Sequence, residues 1–105
     1  MRFLVVTRAN APLPPEMALG LVEAMKQWAA AQRQSGKLEQ VWSFAGLNGG
    51  GGILDVGSHE ELDAIMAAFP FGPFSHIDVY PLADLDASLQ SFATVIQQMM
   101  PPRGS

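Results

Sequence analysis

The stretch Leu38-Glu39-Gln40-Val41-Trp42-Ser43-Phe44-Ala45-Gly46-Leu47-Asn48-Gly49-Gly50-Gly51-Gly52-Ile53-Leu54-Asp55-Val56-Gly57-Ser58 decides the fold. Leu38 to Ala45 carries Val41, Trp42 and Phe44 and reads as a strand. Gly46 to Gly50 supplies a turn, and Gly51 to Val56 returns as a second strand. Ser58, with Glu61 three residues on, forms a capping box that opens a helix. Two neighbouring strands with no helix between them exclude a simple strand–helix alternation.

Toward the N-terminus, Phe3 to Thr7 is a short β-branched strand ended by Arg8-Ala9-Asn10-Ala11-Pro12. Pro12, Pro14 and Pro15 stiffen the connector, with Pro15 suited to a helix start. From Glu16 to about Gln34, Ala18, Leu21, Val22, Met25, Trp28 and Ala29 share one helical stripe, and Ser35-Gly36 ends it. Toward the C-terminus, Leu62, Ile65, Met66 and Phe69 stripe a second helix, which Pro70-Phe71-Gly72-Pro73 stops before a strand from Phe74 to Tyr80.

The order is β-α-β-β-α-β, the ferredoxin-like α+β arrangement. Two helices cover one face of such a sheet. The cover expected for the other is a second copy's sheet, giving a dimeric α+β barrel. Residues 1–82 make up this domain, and 83–100 add an amphipathic helix with Leu85, Leu89, Phe92, Ile96 and Met99 on a narrow stripe. A helix so one-sided needs a partner surface, in its own domain or on a neighbouring subunit. Residues 101–105 read as a frayed tail with no role.

Composition narrows the function classes. The chain has 105 residues, a net charge of −4 and no basic run, which argues against nucleic-acid binding. At 49% hydrophobic and 15% charged residues it is not a disordered chain. Apolar runs stop short of membrane-spanning length, so no membrane association is expected. The absence of cysteine excludes disulfides and thiolate metal sites. A start too short in apolar residues for a signal peptide makes a cytoplasmic protein the expectation. So apolar a chain, in so small a domain, is expected to form a homo-oligomer, a dimer or larger.

Few residues carry chemistry. Gly49-Gly50-Gly51-Gly52 lacks the following helix of a phosphate cradle and reads as a hairpin that leaves room for a pocket mouth. His59 and His76 lack ligand spacing, so no metal is expected. His76, Asp78 and Tyr80 alternate on one face of the last strand, opposite Ile77 and Val79. That row is either the wetter face of an edge strand or a proton-handling set, since histidine titrates near neutrality and Asp78 can orient it. Lys26, at the margin of the first helix's stripe, either snorkels outward or bends in to stabilise an enolate. Trp42, Met25 and Phe74, with Asn48 and Tyr80, are the candidate walls of an apolar substrate site.

From Leu21 to Leu82 the chain resembles the muconolactone Δ-isomerase family. The similarity rests on Gln32-Arg33-Gln34-Ser35-Gly36, Val41-Trp42-Ser43-Phe44-Ala45-Gly46, Ile53-Leu54-Asp55-Val56-Gly57-Ser58 and Phe69-Pro70-Phe71-Gly72-Pro73-Phe74. The resemblance implies dimeric α+β barrels that assemble further. It also implies cofactor-independent proton transfer on an unsaturated lactone. Where the family carries Asp-Glu-Lys on the first helix, this chain has Ala24, Met25 and Lys26; where it has His-Tyr after Ala-Gly, this chain has Leu47 and Asn48. The expected activity is a cofactor-free isomerase or cyclase acting on an apolar carbonyl substrate such as a lactone, quinone or polyketide. In that reading Lys26 supplies positive charge and His76, supported by Asp78, carries the proton. Competing readings are a non-catalytic binding or assembly module and a cofactor-free oxygenase of anthrone-like substrates.

Overall fold

Alternation along the first strand, β1 (Arg2–Ala9), divides the molecule into two sides. In the computed structural model, which describes residues 1–101, Phe3 and Val5 are buried while Arg2 and Arg8 are exposed. The remaining elements are α1 (Pro15–Gln34), β2 (Leu38–Ser43), β3 (Gly49–Asp55), α2 (His59–Ala67), β4 (Ser75–Pro81) and α3 (Leu85–Met99), with a 3-10 turn at Gly72–Phe74. The four strands form one sheet in the order β2-β3-β1-β4, and every neighbouring pair is antiparallel. This is the ferredoxin-like topology expected from the order of elements.

Register fixes which residues share a face, because directly paired residues project to the same side. Val5 pairs with Gly52 and Val79, and Thr7 with Gly50 and Ile77. These stand on the helix side. Val6 pairs with Gly51 and Asp78, and Arg8 with Gly49 and His76, on the reverse side. The core is Phe3, Val5, Leu38, Leu54, Val56 and Leu62, with Trp28, Ala29, Ile65, Met66 and Ile77 packed against it from the helices and β4.

Local signals account for the element ends. Pro15 occupies the first turn of α1, and Gly36 beyond its C-terminus takes φ 78°, a left-handed position that favours glycine. Ser58 caps α2 by accepting from the Glu61 N–H at 3.1 Å, and the Glu61 carboxylate accepts from the Gly57 N–H at 3.3 Å. Asp84 caps α3 through the Ala87 N–H at 2.9 Å. β3 begins at Gly49, so Gly49 and Gly50 belong to the strand rather than to the turn, and Phe44 and Ala45 fall outside β2. Close backbone approach explains it: a Cβ on Gly50 would lie 2.5 Å from the Trp42 carbonyl oxygen, and one on Gly52 2.9 Å from that of Gln40.

α3 departs from the body. Every described residue from Val79 to Pro101 is exposed, including Leu85, Leu89, Phe92, Ile96 and Met99. The molecule measures 74 × 28 × 23 Å, and its radius of gyration is 19.3 Å, against about 13 Å for a compact chain of this length. Its accessible surface is 7540 Å², where a compact monomer of this mass would show about 5,700 Å². Among the described residues no helix is long and apolar enough to cross a membrane. Residues 102–105, most of the expected tail, lie outside those described.

Lys37, at the entry to β2, pairs with Glu61 in the first turn of α2. That hydrogen bond, together with the one from Gly57, holds the Glu61 carboxyl below its ordinary value of 4.5. A carboxyl depressed in the folded state adds stability above its unfolded value and loses it as pH falls through the folded one. Glu61→Gln is therefore expected to flatten the loss of stability below about pH 4.5. Urea titrations of both proteins across that range and at neutral pH check this.

Candidate functional site

Between the sheet and the helix pair lies a cleft of about 710 Å³. Its floor consists of residues with little or no side chain: Thr7 and Ala9 of β1, Ser43 of β2, and Gly50 and Gly52 of β3. Met25 and Trp28 of α1, Met66 of α2 and Phe69 just beyond it form its roof, while Leu13, Phe71, Phe74 and Ser75 close one end. The core fills the space under the helices only where β1 and β3 offer Phe3, Val5 and Leu54. Where the sheet turns to glycine, the helices bridge empty space. Accordingly no residue of α1 is fully buried.

Trp28 ties the roof together. Its indole Nε1 donates to the Ile65 carbonyl at 3.1 Å, linking α1 to α2, and its ring meets Phe69 edge-on at 5.2 Å. Polar atoms are few. The Thr7 and Ser43 hydroxyls donate to the carbonyls of Gly50 and Gly49, each at 3.4 Å, so both floor hydroxyls are engaged. Asn48 stands exposed at the mouth. Arg33, in the last turn of α1, is the one ionisable side chain among the described residues of the lining. No carboxylate and no imidazole of the described residues lines it.

Four of the residues singled out in the sequence border this cleft: Met25, Trp42, Asn48 and Phe74. Trp42 does so from the edge strand, its indole lying beside Gly51. Lys26 does not. One helical step turns it away from Met25, and it is exposed on α1 outside the lining. His76, Asp78 and Tyr80 are also apart from the cleft. Their partners on β1 are Arg8, Val6 and Leu4, so the whole row stands on the reverse face of the sheet.

The expected placement of a proton carrier beneath the helices is thereby corrected. Phe3 and Val5 occupy the helix side, and pairing parity sends His76 and Asp78 to the other. The row is real nonetheless: His76 Nε2 lies 3.0 Å from Asp78 Oδ1, and Arg8 Nη2 4.0 Å from Asp78 Oδ2. Sequence reading missed Arg8 and Arg33 as members of these two groups. Their signals were the even-numbered positions of β1 and the last turn of α1. Among the described residues no cluster of three or more His, Asp or Glu could hold a metal ion.

These features define an α+β protomer with a small-molecule-sized apolar cavity on its helix side. The family model for muconolactone delta-isomerase matches residues 1–88, and the chain belongs to that family. A muconolactone Delta-isomerase of Cupriavidus pinatubonensis is 32% identical over 92 residues, covering 86% of this chain and all of the relative. A crystal structure of muconolactone isomerase matches with a TM-score of 0.71 at 28% identity, over 80% of this chain and 90% of the other. The family match ends at residue 88, so most of α3 lies beyond it.

Replacing Trp28 by Phe keeps the aromatic contact and removes the donor to Ile65. The expected loss is about 1 kcal/mol of stability, or a fall of about 4–8 °C in Tm. Differential scanning calorimetry reads it directly.

Proposed function

We propose that the protein is a cofactor-independent isomerase that holds a small, apolar, carbonyl-bearing ring compound of lactone type in the helix-side cleft. The observation that carries this reading is the cleft itself, on a chain of the muconolactone delta-isomerase family. Its volume suits a small organic molecule, and its walls are apolar with few polar atoms. In the reaction a proton leaves the γ carbon of the conjugated system and one returns at the α carbon, so that the double bond moves from the α,β to the β,γ position. Negative charge develops on the carbonyl oxygen meanwhile, and in this reading Arg33, which borders the cleft, opposes it.

The base is where this chain differs. Met25 occupies a cleft position where an acid would face the substrate, and a thioether takes no proton. In this reading water carries the proton, which makes the reaction slow. His76, Asp78 and Lys26, standing outside the cleft, are dispensable to it. A second reading, binding without turnover, is favoured by the lack of any carboxylate or imidazole in the lining.

Proton NMR of a muconolactone-type lactone in D2O, with the protein added, tests the two together. Isomerisation with deuterium incorporation is expected, without oxygen uptake. Met25→Glu should raise the rate by about 10²-fold by supplying a base, and Arg33→Met should lower it by about tenfold or more. His76→Ala and Lys26→Ala should leave it near wild type. A rise in Tm with the lactone but no exchange in any variant overturns the isomerase and leaves the binding protein.

The same reading includes a cytoplasmic homo-oligomer. The reverse face of the sheet exposes Trp42 and Tyr80 beside the half-buried Leu4, Val6 and Ile53. The accessible surface exceeds that of a compact monomer by roughly 1,800 Å², about twice what each partner buries in a standard interface. A second copy's sheet laid on this face would enclose it.

A further inference from the structure

We infer that the substrate is an unsaturated lactone whose γ carbon carries a flat system of fused aromatic rings; this rests on the isomerase reading above and names its substrate class. The floor sets the size. Ser43 of β2, Gly50 of β3 and Thr7 of β1 are directly paired, so a row of positions with small or absent side chains crosses three strands. Two strand spacings make that row about 10 Å wide, and Gly52, two residues along β3, extends it by about 7 Å. The cleft above holds about 710 Å³, whereas one six-membered ring fills a dry cavity of about 150 Å³. A lone lactone ring leaves most of this space to water.

The roof selects a plane. Trp28 meets Phe69 edge-on at 5.2 Å, and Phe69 meets Phe71 edge-on at 6.1 Å, so three aromatic rings run in series along the lining. Met25 and Met66 add thioethers, which make favourable contacts with aromatic rings. Over a floor of bare peptide, such a roof suits a rigid flat ligand. A flexible alkyl chain of similar bulk gives up more rotational freedom on entry.

The chemistry asks for the same substituent. No carboxylate or imidazole of the described residues lines the cleft, so the proton leaves to water, a weak base. Turnover then depends on an acidic carbon. Aromatic rings on the γ carbon spread the charge of the dienolate and make the γ proton easier to remove. That proton passes to water and another is added at the α carbon. The double bond moves into conjugation with the rings, and no atom or electron is gained or lost. The substrate thus supplies in acidity what Met25 withholds in basicity.

Three butenolides that differ only at the γ carbon, bearing 2-naphthyl, octyl or methyl, test this. Titration calorimetry should give the naphthyl lactone a Kd at least tenfold below both others, from the added apolar area buried. Deuterium exchange in D2O, followed by proton NMR, should give it the highest kcat/KM, by tenfold or more. Ala9→Phe, which places a ring at the exposed end of the floor, should cut the Kd advantage to threefold or less. Equal Kd values for naphthyl and octyl overturn the flat-ring class, and equal values for naphthyl and methyl overturn the size. In both cases exchange of the methyl lactone leaves the isomerase reading standing. Tight naphthyl binding with a kcat/KM no higher than that of the methyl lactone overturns the inference, as does an advantage that Ala9→Phe leaves intact. Exchange in none of the three overturns the isomerase reading itself, and the substrate class falls with it.

Discussion

Side chains at Gly49, Gly50 and Gly52 of β3 would drive into the backbone of β1 or β2, one at Gly51 would press on the Trp42 indole, and the architecture follows from that constraint. Each missing side chain forgoes the roughly 1.5–3 kcal/mol that burying a Leu or Val would contribute. The sheet compensates by concentrating its core at the other end, on Phe3, Val5, Leu54 and Leu62. There the helices are anchored; above the glycines they span a gap. The cleft is thus a consequence of strand pairing, and Trp28 holds its roof by reaching across to Ile65.

The sheet also acts as a partition. Strand alternation gives each residue one side, and β1 commits the odd positions to the helices. The apolar cleft and the His76–Asp78–Arg8 group are therefore separated by a layer of backbone although both lie toward one end of the sheet. Their chemistries are correspondingly divided: one side offers an apolar cleft, and the other gathers charge. An imidazole and a carboxylate in one strand do not make a site for whatever lies behind that strand.

Much of this was legible beforehand. The element order follows from the hairpin at residues 38–58, the capping residues Ser58 and Asp84, and the proline stops, all of which act locally. The alternation of Ile77 against His76 and Asp78 was also readable. Which of the two faces the helices was not, because that parity is set by a long-range pairing with β1. Gly49 and Gly50 read as a turn for a related reason: glycine usually interrupts a strand, and only the neighbouring carbonyls show why it is required here. Met25, Trp42 and Phe74 were found as cleft residues from their apolar character, and Asn48 from its place in the turn. Arg33 escaped notice because a cation in the last turn of a helix ordinarily answers to the helix dipole alone.

The uneven floor of the cleft has a consequence for its shape. Its β3 side is locked, since even a methyl group there collides with main chain, whereas Thr7 and Ala9 on β1 project into open volume. In this chain the shape of the cleft can therefore be altered at Thr7 and Ala9 but not at Gly50 or Gly52.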